Sequence, residues 1–175
     1  MPGSTRHLSM LTMTSLNDHK TENDFTLAVP IMINTAREGD YQAIIELWEI
    51  SVRASHFFLP EDYLQKIKNL LPSILPIVKL FTHLDKDNKT ITGFLGVSHE
   101  KIEMLFIHPA RRREGIGTLL NKFAVEQLHT YKVDVNEQNE QAVSFYKKKG
   151  YEVVGRTEVD GLGKPFPILQ MQFVK

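Results

Sequence analysis

The chain has 175 residues, 42% of them apolar and 24% charged, with 21 Lys and Arg balanced by 21 Asp and Glu. That is enough apolar material for one core, and the neutral balance excludes the large basic excess of a dedicated nucleic-acid or anionic-membrane binder. Zero cysteines exclude disulfides, a thiol nucleophile, iron–sulfur clusters and cysteine-held zinc, and permit a reducing, cytoplasmic setting.

Seven histidines are scattered, with no His-Glu-x-x-His or similar close pair, so no metal site is expected. The apolar run Leu70 to Phe81 is short and broken by Pro72 and Pro76, too little for a membrane span. Residues 1–28 are rich in Ser, Thr, Asn and Met and carry no periodicity that continues onward. They read as an extension outside the fold, without the apolar centre of a signal peptide or the arginine content of a transit peptide. A single domain is expected over 29–175.

The domain opens with a short strand, Ile31 to Asn34, and a helix started by Asp40. Tyr41, Ile44, Ile45, Trp48 and Val52 form one apolar face of that helix, which stops near Ala54. The segment Ser55 to Pro60 is too apolar for a plain surface loop, and His56, Phe57 and Phe58 suggest a pocket wall that would touch a substrate. A second helix follows through Leu64, Ile67, Leu70 and Leu71. Strands Ile77 to His83, Ile91 to Val97 and Ile102 to Ile107 make an antiparallel meander. Then come a helix Gly115 to Thr130, a strand Lys132 to Val135, and a helix Asn139 to Lys149 stopped by Gly150 in a left-handed cap. Strands Tyr151 to Thr157 and Ile168 to Val174 close the chain. This order specifies a mixed α/β sheet with helices on both faces.

Between the third meander strand and the next helix lies His108-Pro109-Ala110-Arg111-Arg112-Arg113-Glu114-Gly115-Ile116-Gly117-Thr118. Two glycines entering a helix start expose backbone N–H groups and the positive end of the helix dipole, and three arginines add charge; this is an anion cradle. On these residues alone, a solvated arginine turn fits equally well. A Walker loop is absent, and a Rossmann turn fails because its third glycine position is Leu120 and seven residues separate Ile107 from Gly115.

Read as Arg112-x-x-Gly115-x-Gly117 after a strand, the loop resembles the acetyl-CoA signature of the GNAT N-acetyltransferase superfamily. About thirty residues on, Asn136 to Tyr151, with Asn139, Ala142, Phe145, Tyr146 and Gly150-Tyr151, resembles that family's second signature. The likeness covers roughly Ile31 to Lys175 and runs to small bacterial members. It implies the GNAT fold, a central mixed and mostly antiparallel sheet, and transfer of an acetyl group from acetyl-CoA to a primary amine of a protein, peptide or small molecule. Backbone N–H groups of Arg113, Gly115, Ile116, Gly117 and Thr118 would hold the pyrophosphate, with Arg112 setting up the loop. Leu105, Phe106 and Ile107 would pair with the pantetheine arm, Asn139 would bond to it, and Tyr146 would lie near the thioester sulfur. Arg113 stands where the family usually has glycine.

Direct attack in a ternary complex follows from the absence of cysteine. Tyr146 is the candidate acid for the departing thiolate, although a packed core tyrosine is its plain alternative. Glu103 is the candidate base, because strand alternation puts it beside Leu105 and Ile107 unless a bulge re-aims it; a solvated strand carboxylate is the plain alternative. His56 is a further candidate base or rim residue. A non-catalytic acyl-CoA-binding regulatory module is the second functional reading, and the retained Tyr146 favours the enzyme. The acceptor is not legible, and the assembly is a monomer or a homodimer.

Overall fold

The computed structural model describes residues 33–87 and 89–174. The extension expected at 1–28, and the first two residues of the strand expected from Ile31, lie outside the described residues.

Strand β1 (Ile33–Thr35) is followed by helices α1 (Tyr41–Arg53) and α2 (Glu61–Ile74), then strands β2 (Lys79–Leu84), β3 (Ile91–Ser98) and β4 (Lys101–Ile107). Helix α3 (Ile116–Glu126), strand β5 (Lys132–Asn136), helix α4 (Glu140–Lys148) and strands β6 (Tyr151–Thr157) and β7 (Ile168–Phe173) complete the order. The seven strands form one sheet ordered β1-β2-β3-β4-β5-β7-β6. Every neighbouring pair is antiparallel except β4 and β5.

Alternation along β3 divides the core between the two faces of the sheet. Phe94 is buried with Ile44, Trp48, Leu64 and Leu71 of α1 and α2, whereas Leu95, its neighbour, is buried with Ile116, Leu120 and Tyr146 of α3 and α4. Successive strand residues point to opposite faces, so one strand anchors both helical layers.

Two boundaries differ from the pattern-based expectation. The strand expected from Ile77 begins at Lys79, because Leu75–Ile77 forms a 3-10 turn around Pro76. The helix expected to reach Thr130 ends at Glu126: the Thr130 N–H bonds to the Ala124 carbonyl, and His129 adopts φ 52°. Leu128 still packs on the core beyond the helix end, so hydrophobic phase outlasts helical backbone. At the other helix the expectation holds, since Asn139 caps α4 and Gly150 takes φ 89° just past its end.

Candidate active site

The site begins where the sheet splits. Strand β4 pairs with β3 up to Ile107, yet with β5 only through Lys101 and Ile102. Beyond Ile102 the β5-facing edge of β4 has no ladder partner; Leu105 and Ile107 present their backbone groups on that edge, where a ligand can add hydrogen bonds beside the Ser51 hydroxyl that the Ile107 carbonyl accepts, whereas the backbone groups of Phe106 face β3. The chain leaves β4 and passes through a 3-10 turn, Pro109–Arg111, to enter α3.

That entry is built to expose donors. Gly115, the N-cap of α3, adopts φ 85° and offers no side-chain cap. The first helical amides, Ile116, Gly117 and Thr118, have no acceptor within the helix, because the first N–H to reach Gly115 O is that of Leu119 at 2.9 Å. Uncapped amides at a positive helix end form an anion site. Arg113 also lies in the left-handed region, φ 68°, which explains why a glycine is the easier residue there. Arg112 turns away from the helix start. Its guanidinium donates to the carbonyls of Ser51 at 3.3 Å and Ala54 at 3.5 Å, a cation on the negative end of α1 that pins the loop. Arg111 is held by the Glu114 carboxylate at 2.8 Å.

Between β4, this loop and α4 lies a cavity of about 360 Å³. Its walls include Leu105, Phe106 and Ile107 from β4, and Arg112, Arg113, Gly115, Ile116, Gly117 and Thr118 from the loop and α3. Asn139 and Tyr146 of the α4 region close it, and His56 lines it from the exit of α1. The sequence motifs thus converge on one space. Ser51, Ser55, Arg111, Gln141, Ala142 and Phe145 also line it. Ala142 and Phe145 belong to the second signature and Ser55 opens the segment expected as a pocket wall, whereas nothing in the sequence marks Ser51. No carboxylate is among the lining residues, so the cavity is electropositive.

Tyr146 is buried, at 6% exposure, and its ring meets Phe145 at 5.1 Å and Tyr151 at 5.2 Å between centroids. Burial raises its phenol above the ordinary tyrosine range, so it stays protonated and able to donate. Burial also lowers the His56 imidazole to about 4, with the Arg112 charge a smaller cause in the same direction. The ring is therefore neutral at pH 7.

Three residues expected at the site fall elsewhere. Glu103 does not line the cavity. The register steps from Gly96 opposite Met104 to Val97 opposite Ile102, so Glu103 is the extra residue of a bulge on β4. Its carboxylate bonds to the Ser98 hydroxyl and to Lys101, 3.3 Å away. The bulge that alternation ignores is what removes it. Phe57 is 84% exposed and touches no part of the cavity. Phe58 lies behind His56, ring to ring at 5.4 Å, and faces Phe166 of the β6–β7 connection at 6.1 Å. Phe166 stacks on Tyr63 at 5.1 Å, and the Tyr63 hydroxyl donates to the Asp160 carboxylate. The α1–α2 connection, α2 and the β6–β7 connection therefore meet in one aromatic bar beside the cavity.

Among the described residues, no group of three or more His, Asp or Glu is placed to hold a metal ion, and no helix is long and apolar enough to cross a membrane.

Residues 78–171 match the acetyltransferase (GNAT) domain family. The chain is 38% identical over 144 residues to the peptidyl-lysine N-acetyltransferase YjaB of Escherichia coli K12, spanning 82% of this chain and 97% of that protein. It is 27% identical over 125 residues to the peptidyl-lysine N-acetyltransferase YiaC of the same strain, spanning 70% of this chain and 84% of YiaC. The solution structure of apo-form YjaB from Escherichia coli superposes with a TM-score of 0.75, over 81% of this chain and 96% of that one, at 38% identity. The PaiA N-acetyltransferase of Thermoplasma acidophilum, solved in complex with coenzyme A, shares the fold at a TM-score of 0.56 and 20% identity, over 81% of this chain and 98% of that one. Split strands, an uncapped glycine helix start and this family match together identify the chain as a member of the GNAT family and an acetyl-CoA-dependent N-acetyltransferase.

Proposed function

We propose that the enzyme acetylates the ε-amine of a lysine in a protein or peptide, by direct attack on acetyl-CoA held in the cavity between β4, the arginine loop and α4. The observation that carries this reading is the convergence of both sequence motifs on a single electropositive cavity with Tyr146 in its wall. The lysine acceptor is carried over from the relatives YjaB and YiaC, which are peptidyl-lysine N-acetyltransferases.

The residues fit the coenzyme. The free amides of Ile116, Gly117 and Thr118 would hold its pyrophosphate, the backbone of Leu105 and Ile107 on the open edge would bond its arm, and Asn139 would add a side-chain contact. Bound there, acetyl-CoA supplies an activated acyl group. Tyr146 donates a hydrogen bond where the thiolate leaves. With no cysteine in the chain, no acetyl-enzyme forms on a thiol.

The amine's proton decides the pH dependence. A free lysine amine, which titrates near about pH 10.4, costs about 4.6 kcal/mol to deprotonate at pH 7. His56 at about 4 is far too weak a base to take that proton, and no carboxylate is among the residues lining the cavity. The proton therefore leaves to water, and the neutral fraction of the acceptor sets the rate. Initial rates with a single-lysine peptide should climb about tenfold per pH unit between about pH 6.5 and 9, the slope of a free amine below its pKa. A plateau beginning near pH 7 would show a resident base and contradict this step.

A further inference from the structure

Seven cavity-lining residues from α4, the end of α1, the arginine loop and β4 are joined by hydrogen bonds whose direction can be worked out. Asn139 caps α4, and its Oδ1 accepts the Ala142 N–H at 3.2 Å. That bond fixes which way the carboxamide is turned, so its Nδ2 faces His56, 3.4 Å from Nε2. An amide nitrogen only donates. Nε2 must therefore be the acceptor, and the ring proton sits on Nδ1. Nδ1 donates to Ser55 Oγ at 2.9 Å, and Ser55 Oγ donates to the Ser51 carbonyl at 2.8 Å. The same carbonyl receives the Arg112 guanidinium at 3.3 Å, while the Ser51 hydroxyl donates to the Ile107 carbonyl at 3.0 Å.

We propose that His56 is a positioning residue for coenzyme binding: as the Nδ1–H tautomer it ties the start of α4 to the exit of α1, and through Ser51 to the arginine loop and the end of β4. The inference rests on acetyl-CoA occupying this cavity. Asn139 and the loop stand on opposite walls, and their spacing is what a coenzyme arm must match. His56 is the side chain that bridges them. Its low basicity serves this role, since a protonated ring would offer Nε2 no lone pair to Asn139 and would face Arg112 as a like charge. The Phe58 ring behind it restricts its rotation.

Two measurements test this. Nitrogen-15 spectra of the imidazoles in the wild-type protein at pH 7 should show His56 neutral with its proton on Nδ1; an Nε2–H tautomer or an imidazolium would overturn the proposal. Calorimetry with acetyl-CoA then compares three variants. His56→Gln keeps an acceptor where Nε2 stood and should bind within about threefold of wild type, whereas His56→Asn and His56→Phe lose it and should bind about tenfold more weakly, the scale of one hydrogen bond. Equal binding by all three variants, or a glutamine variant as weak as the phenylalanine one, overturns it. So does intact coenzyme binding in every variant with collapsed turnover, which would place His56 in the chemistry. Neither readout needs an acceptor: a wild type that binds acetyl-CoA but transfers nothing would fail the functional reading alone.

Discussion

Replacing Gly117 with valine is expected to weaken acetyl-CoA binding by about a hundredfold while leaving the fold intact, because crowding a filled site costs up to about 3 kcal/mol. The effect is local by construction. A first side-chain carbon at Gly117 would sit 3.6 Å from the Phe145 ring and 3.7 Å from Ile107, ordinary contact distances that need no rearrangement. Both neighbours line the cavity, so the two further methyl groups of valine are directed among the walls where the coenzyme must approach the amides of Ile116 and Thr118. Valine is also no poorer a helix former than glycine, so α3 does not lose stability from the exchange. Thermal melts separate the two effects. Saturating acetyl-CoA at a hundredfold excess over its Kd should stabilise the wild type by about 2.7 kcal/mol. At the same coenzyme concentration the valine variant, then at one Kd of its own, should gain only about 0.4 kcal/mol. A variant that binds normally would place the pyrophosphate elsewhere.

Tyr146→Phe is expected to lower kcat by about tenfold to several hundredfold with coenzyme affinity nearly unchanged, the range for loss of a single general acid. Phenylalanine keeps the two edge-on ring contacts to Phe145 and Tyr151 and removes only the hydroxyl. Two pKa values decide where in that range the effect falls. Burial holds the phenol above its usual value, while a coenzyme thiol resembles cysteine at about 8.5. Full proton transfer from phenol to thiolate is therefore uphill, and in the proposed role Tyr146 would act mainly by hydrogen bonding to the departing sulfur. That favours the lower end of the range. A contact made only as the carbon–sulfur bond breaks lowers kcat and kcat/KM together. Wild-type turnover in single-turnover experiments would reduce Tyr146 to a packing residue.

The candidate cavity is legible in the sequence because its parts are local. Gly115 and Gly117 mark a helix start, Asn139 marks another, and each sits within a few residues of the groups it orients. What escapes depends on register and on contacts between distant segments. A strict period of two puts Glu103 at the site, and the extra residue between Ile102 and Met104 breaks that period with no glycine or proline on β4 itself; the glycine at the step, Gly96, stands on the partner strand. Phe57 and Phe58 look alike in sequence, yet one points to solvent and the other packs on Phe166, more than a hundred positions away. Ser51 reads as an ordinary polar helix residue and Ser55 as a loop serine. Their hydroxyls matter only because the end of β4 and the ring of His56 lie within reach, which no local pattern reports. The divergence of β4 from β5 after Ile102 is likewise a property of pairing, invisible along either strand alone.

The most direct test combines acetyl-CoA with a peptide that carries one lysine and a blocked N-terminus, and follows thiol release together with the mass of the peptide. The wild-type enzyme should release thiol in step with one acetyl group appearing on the lysine, and Gly117→Val should do both about a hundredfold more slowly at subsaturating acetyl-CoA. Binding of acetyl-CoA with no thiol release, for this peptide and for a panel of other amines, would contradict the enzyme reading and leave a coenzyme-binding module in its place.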